Sequence, residues 1–393
     1  MEIFQEMFSG MLSLGTNWKT LVMYVIGAVL IYLAIKKDFE PMLLLPIGFG
    51  AILVNLPFNV AWTHDGQPGF LQIFYDSGII TELFPILIFI GVGAMIDFTH
   101  LLANPKMMLF GAAAQFGIFF TIVAAILLTP VLSYVGIDMT LEVAAAIGVI
   151  GAADGPTSIV VGNKFAPQYL GAITVAAYSY MALVPIIQPP IIRLLTTRKE
   201  RLIRMEVKPG KVSKAALIIF PVAITLISGI LVPTSAPLVG SLMFGNLIRE
   251  CGVLERLSKT AQNELSNIVT LLLGITIGAT MRANDFIQPV TMVILLLGLV
   301  AFIFDTAGGV LFAKLVNVIS PKNKVNPMIG AAGISAFPMS SRIVQKMATE
   351  EDPTNFILMP AVSANVSGQL GSVVAGGVIL MVVPMLMRAF GVS

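Results

Sequence analysis

Apolar residues run along this chain in blocks of roughly 18 or more, parted by short polar stretches, the pattern of a helical protein that crosses a membrane many times. It predicts spans from about Lys19 to Ile35, Pro41 to Pro57, Ile79 to Ile96, Met107 to Tyr134 and Pro167 to Ile192. Others follow over 215–232, Leu265 to Met281, Pro289 to Val316 and 355–387. Residues 1–18 read as a short amphipathic lead-in. Residues 58–78, with Trp62, His64, Asp65, Gly66 and Pro68, read as a polar loop. The Pro/Gly-broken stretch 233–248 leaves the number of crossings open there.

Two segments break the pattern from inside. The first, 141–162, holds Ala152-Ala-Asp154-Gly155-Pro156-Thr157-Ser158 between apolar flanks. Gly155 removes side-chain restraint, and Pro156 deletes a backbone donor and disfavours helix at the residue before it, so the helix is expected to break at Asp154. A carboxylate at bilayer depth costs a few kcal/mol or more and points to ion or proton handling. Irregular backbone there must be buried in protein or line a watery cavity. The second segment, 326–347, reads Asn326-Pro-Met-Ile-Gly330-Ala-Ala-Gly333-Ile-Ser335-Ala-Phe-Pro338-Met-Ser340-Ser341-Arg342.

These segments belong to an internal repeat. Gly93-Ala-Met-Ile-Asp-Phe…Pro105 resembles Gly278-Ala-Thr-Met…Pro289, each followed by a long apolar span, an interrupted segment and a final span with polar residues. Lysines and arginines favour the cytoplasmic side. Placing both Lys36-Lys37 and the basic stretch 193–214 there requires the Asp154 segment to be a re-entrant hairpin. The second hairpin then enters from the opposite side. The expected architecture is an all-α polytopic membrane protein, an inverted-repeat transporter with two broken, re-entrant hairpins. Its divisions are N-terminal helices and an outer loop (1–78), a first repeat (79–196), a basic cytoplasmic loop with linking helices (197–263) and a second repeat (264–393).

Composition narrows the function classes. The chain is 57% hydrophobic and 11% charged, against about 25% charged in soluble domains. Its net charge of +2 gives no reason to expect nucleic acid. One cysteine, Cys251, excludes an internal disulfide, and His64 and His100 share no ligand spacing. Glu2 and Glu6 stand where a cleaved signal peptide would be basic.

The chemistry is expected at a few residues. Asp154, with the hydroxyls of Thr157 and Ser158 and free carbonyls at the break, offers hard oxygen ligands suited to Na⁺ or a proton. Arg342 cannot discard its charge; it snorkels, pairs with Asp154, or docks a substrate carboxylate. Tyr180 either relays a proton or sits at a helix interface. Asn365-Val-Ser367-Gly368-Gln369-Leu-Gly371-Ser372 is too polar for lipid contact. Asp305, in mid-span, is a coupling residue or a counter-ion for Arg342.

The Asp154, Asn326–Arg342 and Asn365–Ser372 motifs resemble the β subunits of the sodium-translocating, biotin-dependent decarboxylases. The similarity extends through Ala34-Ile-Lys-Lys-Asp-Phe-Glu-Pro41 and Gly245-Asn-Leu-Ile-Arg-Glu-Cys-Gly-Val-Leu-Glu-Arg256. The resemblance implies a subunit that decarboxylates carboxybiotin, consumes a proton and exports Na⁺ across a bacterial cytoplasmic membrane. It places functional roles on Asp154, Tyr180, Asn326, Gly330, Ser335 and Arg342, with Asn365 near the ion site. Arg342 is the expected contact for carboxybiotin; Asp154, Asn326, Ser335 and Asn365 are the expected Na⁺ ligands. The implied partners are a small γ-type subunit, a biotin carrier protein, a carboxyltransferase subunit and further copies of this chain. No Ala-Met-Lys-Met sequence is present, so biotin must arrive on another chain. The chain departs from the family at Met359-Pro360-Ala361, where a histidine is expected; that bears on which complex it serves. A stand-alone Na⁺/H⁺ or Na⁺/solute carrier is the competing expectation.

Overall fold

A computed structural model describes residues 17–64, 66–134, 136–205 and 212–391. Residues 1–16 of the expected lead-in lie outside them, as do Asp65, Glu206, Lys208 and Lys211. Helix α1 (Trp18–Lys37) starts at Asn17, whose side chain accepts from the Lys19 amide. It stops where Asp38 turns left-handed (φ 55°), with Lys36 and Lys37 against the helix's negative end. Helix α2 (Pro41–Val54) has Pro41 in its first turn, where no donor is lost. Its 14 residues rise about 21 Å, short of a hydrocarbon layer of about 30 Å.

A two-residue antiparallel ribbon, Thr63–His64 with Gln67–Pro68, leads to a bent pair. This is α3 (Phe70–Phe74), prolonged by a π turn over Tyr75–Ile80, and α4 (Leu83–Met95), inclined at 62°. The polar loop expected over 58–78 therefore ends at Gly69. The residues that carry the loop reading, Trp62, His64, Asp65, Gly66 and Pro68, all precede Gly69, and beyond it the fully buried Leu71 holds the helix on the core. The span expected from Met107 to Tyr134 is found as one spanning stretch, Pro105–Leu127, with a turn inside it between α5 (Met108–Ala113) and α6 (Phe116–Leu127). At that turn the Ile118 amide donates to Asp305 Oδ1 over 3.1 Å.

The first hairpin pairs α7 (Leu141–Gly148), tightened into a 3₁₀ turn over Val149–Ala152, with α8 (Gly155–Phe165). Helix α9 (Leu170–Leu195) completes the N-terminal half. The C-terminal half contains α10 (Lys214–Leu231), α11 (Ala236–Glu250), α12 (Ser266–Ala279) and α13 (Pro289–Ile319). Its hairpin has one helical turn, Met328–Ala331, an irregular crossing, and α14 (Met339–Glu351); α15 (Leu358–Ala389) follows. The ambiguous stretch 233–248 is thus mostly helix α11. Among the described residues six helices are long and apolar enough to span a membrane, or up to seven with the bent pair as one. The protein is an all-α, multi-pass membrane protein.

Contacts between the halves are exchanged. Short helix α2 lies on α12 of the other half, and short helix α11 lies on α4. A Cβ on Gly50 would strike the Ile275 carbonyl, and one on Gly245 the Ile90 carbonyl. Likewise Gly278 touches Ile47, and Gly93 touches Leu242, so backbones meet where small residues permit it. The carbonyls that follow these helices are capped in the same way. Asn55 Nδ2 donates to Met281 O (2.8 Å), and Asn246 Nδ2 donates to Ile96 O (2.9 Å).

One end of the bundle is closed by charge. Arg193 pairs with Glu350 (3.0 Å), Arg201 with Glu351 (2.7 Å) and Arg204 with Asp352 (2.7 Å). The basic stretch is therefore a strap on the end of α14.

Candidate functional site

The first hairpin breaks where the sequence predicts. Ala153 is left-handed (φ 52°), a conformation unusual for alanine and held by full burial on all sides. Asp154 then takes extended geometry as the N-cap of α8, with Pro156 in the first turn. Its carboxylate is 3% exposed. Oδ2 accepts from Thr157 Oγ1 (2.7 Å) and from Ser372 Oγ (2.6 Å); Oδ1 accepts only a long contact from the Thr157 amide, 3.4 Å. Ser158 Oγ donates to the Asp154 carbonyl (2.9 Å).

The irregular crossing of the second hairpin meets this break. The Ser335 amide donates to Ala152 O (3.0 Å), and Ser335 Oγ donates to Gly368 O (2.8 Å). Asn365 Nδ2 donates to Ile334 O (2.7 Å), which leaves its Oδ1 buried without a partner. A cavity of about 250 Å³ reaches the crossing; its polar lining includes Asp154, Tyr178, Ser335 and Gln369, with Ser266 and Thr270 of α12, and its walls include Ile88, Phe89 and Met181. Buried oxygens thus converge from two broken helices and α15, donors and acceptors of the hard kind that bind a small cation or a proton.

Of the residues expected at the site, Asp154, Ser335 and Asn365 are gathered there. The others are not. Tyr180 donates its hydroxyl to Leu295 O on α13. The tyrosine that faces Asp154 is Tyr178. Two positions apart on a helix are about 200° apart around it, so the two buried tyrosines meet different neighbours, Tyr178 the Gly155 backbone and Tyr180 Gly298 of α13. Asn326 is fully buried but its amide is consumed elsewhere. It donates to Arg201 O (2.8 Å) and Ile203 O (2.9 Å) and accepts from the Met328 amide (3.1 Å), which anchors the strap to the hairpin. It is not placed to ligate an ion at Asp154. Gly330 lies against Gly309 of α13, where a Cβ would meet the carbonyl; its part is close packing.

Arg342 is exposed in the first turn of α14 and belongs to none of the ion pairs among the described residues. It pairs with neither Asp154, whose Oδ2 is filled by hydroxyls, nor Asp305. Asp305 is fully buried, caps α6 in trans through Oδ1 and turns an unpartnered Oδ2 toward Gly151. Ser372 and Gln369 lie in the polar motif of the last span, but only the rotation of α15 distinguishes them from its other polar residues.

A family model described as the Na⁺-transporting oxaloacetate decarboxylase beta subunit matches residues 19–383. The chain is 48% identical to oxaloacetate decarboxylase beta chain 2 of Salmonella typhi, over 94% of this chain and 96% of that one. It is 48% identical to methylmalonyl-CoA decarboxylase subunit beta of Propionigenium modestum, over 93% and 95%. The glutaconyl-CoA decarboxylase subunit beta of Acidaminococcus fermentans is also 48% identical, over 93% and 94%.

Proposed function

This chain belongs to the family of Na⁺-transporting decarboxylase β subunits, and from that premise we propose that it decarboxylates carboxybiotin and couples the reaction to Na⁺ export. The observation that carries the proposal is Asp154 held at the meeting of two broken hairpins, with Ser372 and Thr157 on one oxygen and the other oxygen nearly free. Asp154 alternates between Na⁺-bound and protonated states. In the reaction the N–C bond of carboxybiotin breaks, CO₂ leaves, and the electron pair stays on the ureido nitrogen. That nitrogen takes up the proton drawn from outside, so a proton moving in and Na⁺ moving out share one carboxylate.

Thr157, Ser335, Ser372 and Asn365 supply neutral oxygens around Asp154. Arg342, exposed at the start of α14, is positioned to meet the carboxylate of carboxybiotin as it arrives. The reciprocal contacts of α2 with α12 and α11 with α4 support inverted repeats. With Lys36, Lys37 and the strap placed in the cytoplasm by the positive-inside rule, the first hairpin enters from outside and the second from the cytoplasm. The complex contains a small γ-type subunit, a biotin carrier protein, a carboxyltransferase and further copies of this chain, in the inner membrane of a bacterium. Equal identity to relatives named for three acyl substrates supports assigning substrate choice to the carboxyltransferase.

The test is the Asp154→Asn complex in proteoliposomes. Loss of both carboxybiotin decarboxylation and radiolabelled Na⁺ uptake is expected; normal pumping refutes the proposal. A stand-alone carrier would instead move Na⁺ without any biotin protein present.

A further inference from the structure

We propose that the hydroxyl of Tyr178 is a ligand of the cation held at Asp154, an assignment that rests on the Na⁺ site proposed above and adds a residue to it. Tyr178 is 2% exposed and its Oη has no hydrogen-bond partner. A buried hydroxyl left unpaired costs roughly 1–3 kcal/mol, a cost that a cation bound in the adjoining cavity would offset. The ring cannot swing to find a protein partner. It lies on Gly155, where any Cβ would overlap the ring itself. It also lines the same cavity as Asp154, Ser335 and Gln369.

The carboxylate is asymmetric in a way that fits. Oδ2 already receives two hydroxyls, from Thr157 and Ser372, whereas Oδ1 has a single amide at 3.4 Å. A monovalent cation on the open oxygen gains a neutral phenolic oxygen from Tyr178 without extra charge in the low-dielectric interior.

The experiment compares Tyr178→Phe with wild type in the assembled complex, titrating Na⁺ against decarboxylation rate. Phenylalanine keeps the ring on Gly155, so folding is retained. Tyr178→Phe is expected to raise the half-saturating Na⁺ about tenfold, equivalent to ~1.4 kcal/mol, with the maximal rate kept within about twofold of wild type. An unchanged half-saturation in Tyr178→Phe overturns the assignment, whether or not the maximal rate falls. A second readout needs no turnover: Na⁺ raises the unfolding temperature of a protein that binds it only when folded. Weaker stabilisation of Tyr178→Phe than of wild type supports the ligand even if the decarboxylase proposal fails. Equal stabilisation, or none in wild type, rejects it.

Discussion

The amide of Ser335 donates to the carbonyl of Ala152 over 3.0 Å, which joins the interruption of one hairpin to that of the other. Each break frees backbone groups that lipid cannot satisfy. Here the two breaks satisfy one another, and the hydroxyl of Ser335 and the carboxylate of Asp154 are brought to a single place as a result.

Ser372 reaches Asp154 from α15 with a 2.6 Å hydrogen bond. A hydrogen bond to a charged group contributes about 1.5–3 kcal/mol. Ser372→Ala is expected to raise half-saturating Na⁺ by about tenfold or more, measured by Na⁺ titration of the decarboxylation rate. An unaltered titration would show that α15 is scaffold only.

Asn326→Ala separates anchoring from ion binding. Removing the amide strands the Met328 amide and leaves Arg201 O and Ile203 O only the longer contacts from Asn355 Nδ2, 3.3 and 3.5 Å, a loss of about 1–3 kcal/mol. Thermal unfolding in detergent should show the lower stability, while half-saturating Na⁺ stays at the wild-type value. A large rise in that value would return Asn326 to the ion site.

Gly330→Val should be among the most damaging substitutions away from the carboxylate. The added carbons meet the Gly309 backbone, which cannot move without displacing α13. Overpacking of this kind costs about 1–3 kcal/mol. A depressed unfolding temperature and reduced complex assembly are the measurements; wild-type stability would mean that the helices part easily.

The strap carries a pH dependence of known sign. Thr354 and then Arg204 hold the Asp352 carboxyl down to about 2, from an ordinary 3.8, and Arg201 holds Glu351 below its usual range. A depressed carboxylate stabilises the fold above its unfolded value and stops doing so as pH falls through its folded value. Between pH 3.8 and about 2 the wild type should lose stability faster than Asp352→Asn. Parallel unfolding curves for the two proteins would remove the strap as the cause.

Much of the architecture was legible in the residues alone. Long apolar blocks can only be lipid-facing or buried helices, and Asp154-Gly155-Pro156 can only interrupt one, because glycine and proline act on the backbone of their own neighbours. Lys36-Lys37 ends α1 for the same local reason. The helix at 70–80 was not legible because the turn-forming Gly66 and Pro68 run straight into it, and only packing shows that Leu71 is buried against the core.

The membership of the site was decided elsewhere. Tyr178 and Tyr180 are both tyrosines of one helix, and Ser335, Asn326 and Arg342 are all polar residues of one hairpin. Sequence fixes that these groups exist, because composition and spacing are properties of the chain taken locally. Which of them meet at Asp154 depends on how α9, α14 and α15 are rotated and how deeply they sit. Those settings come from contacts such as Gly155 with Tyr178 and Gly330 with Gly309, between residues far apart along the chain.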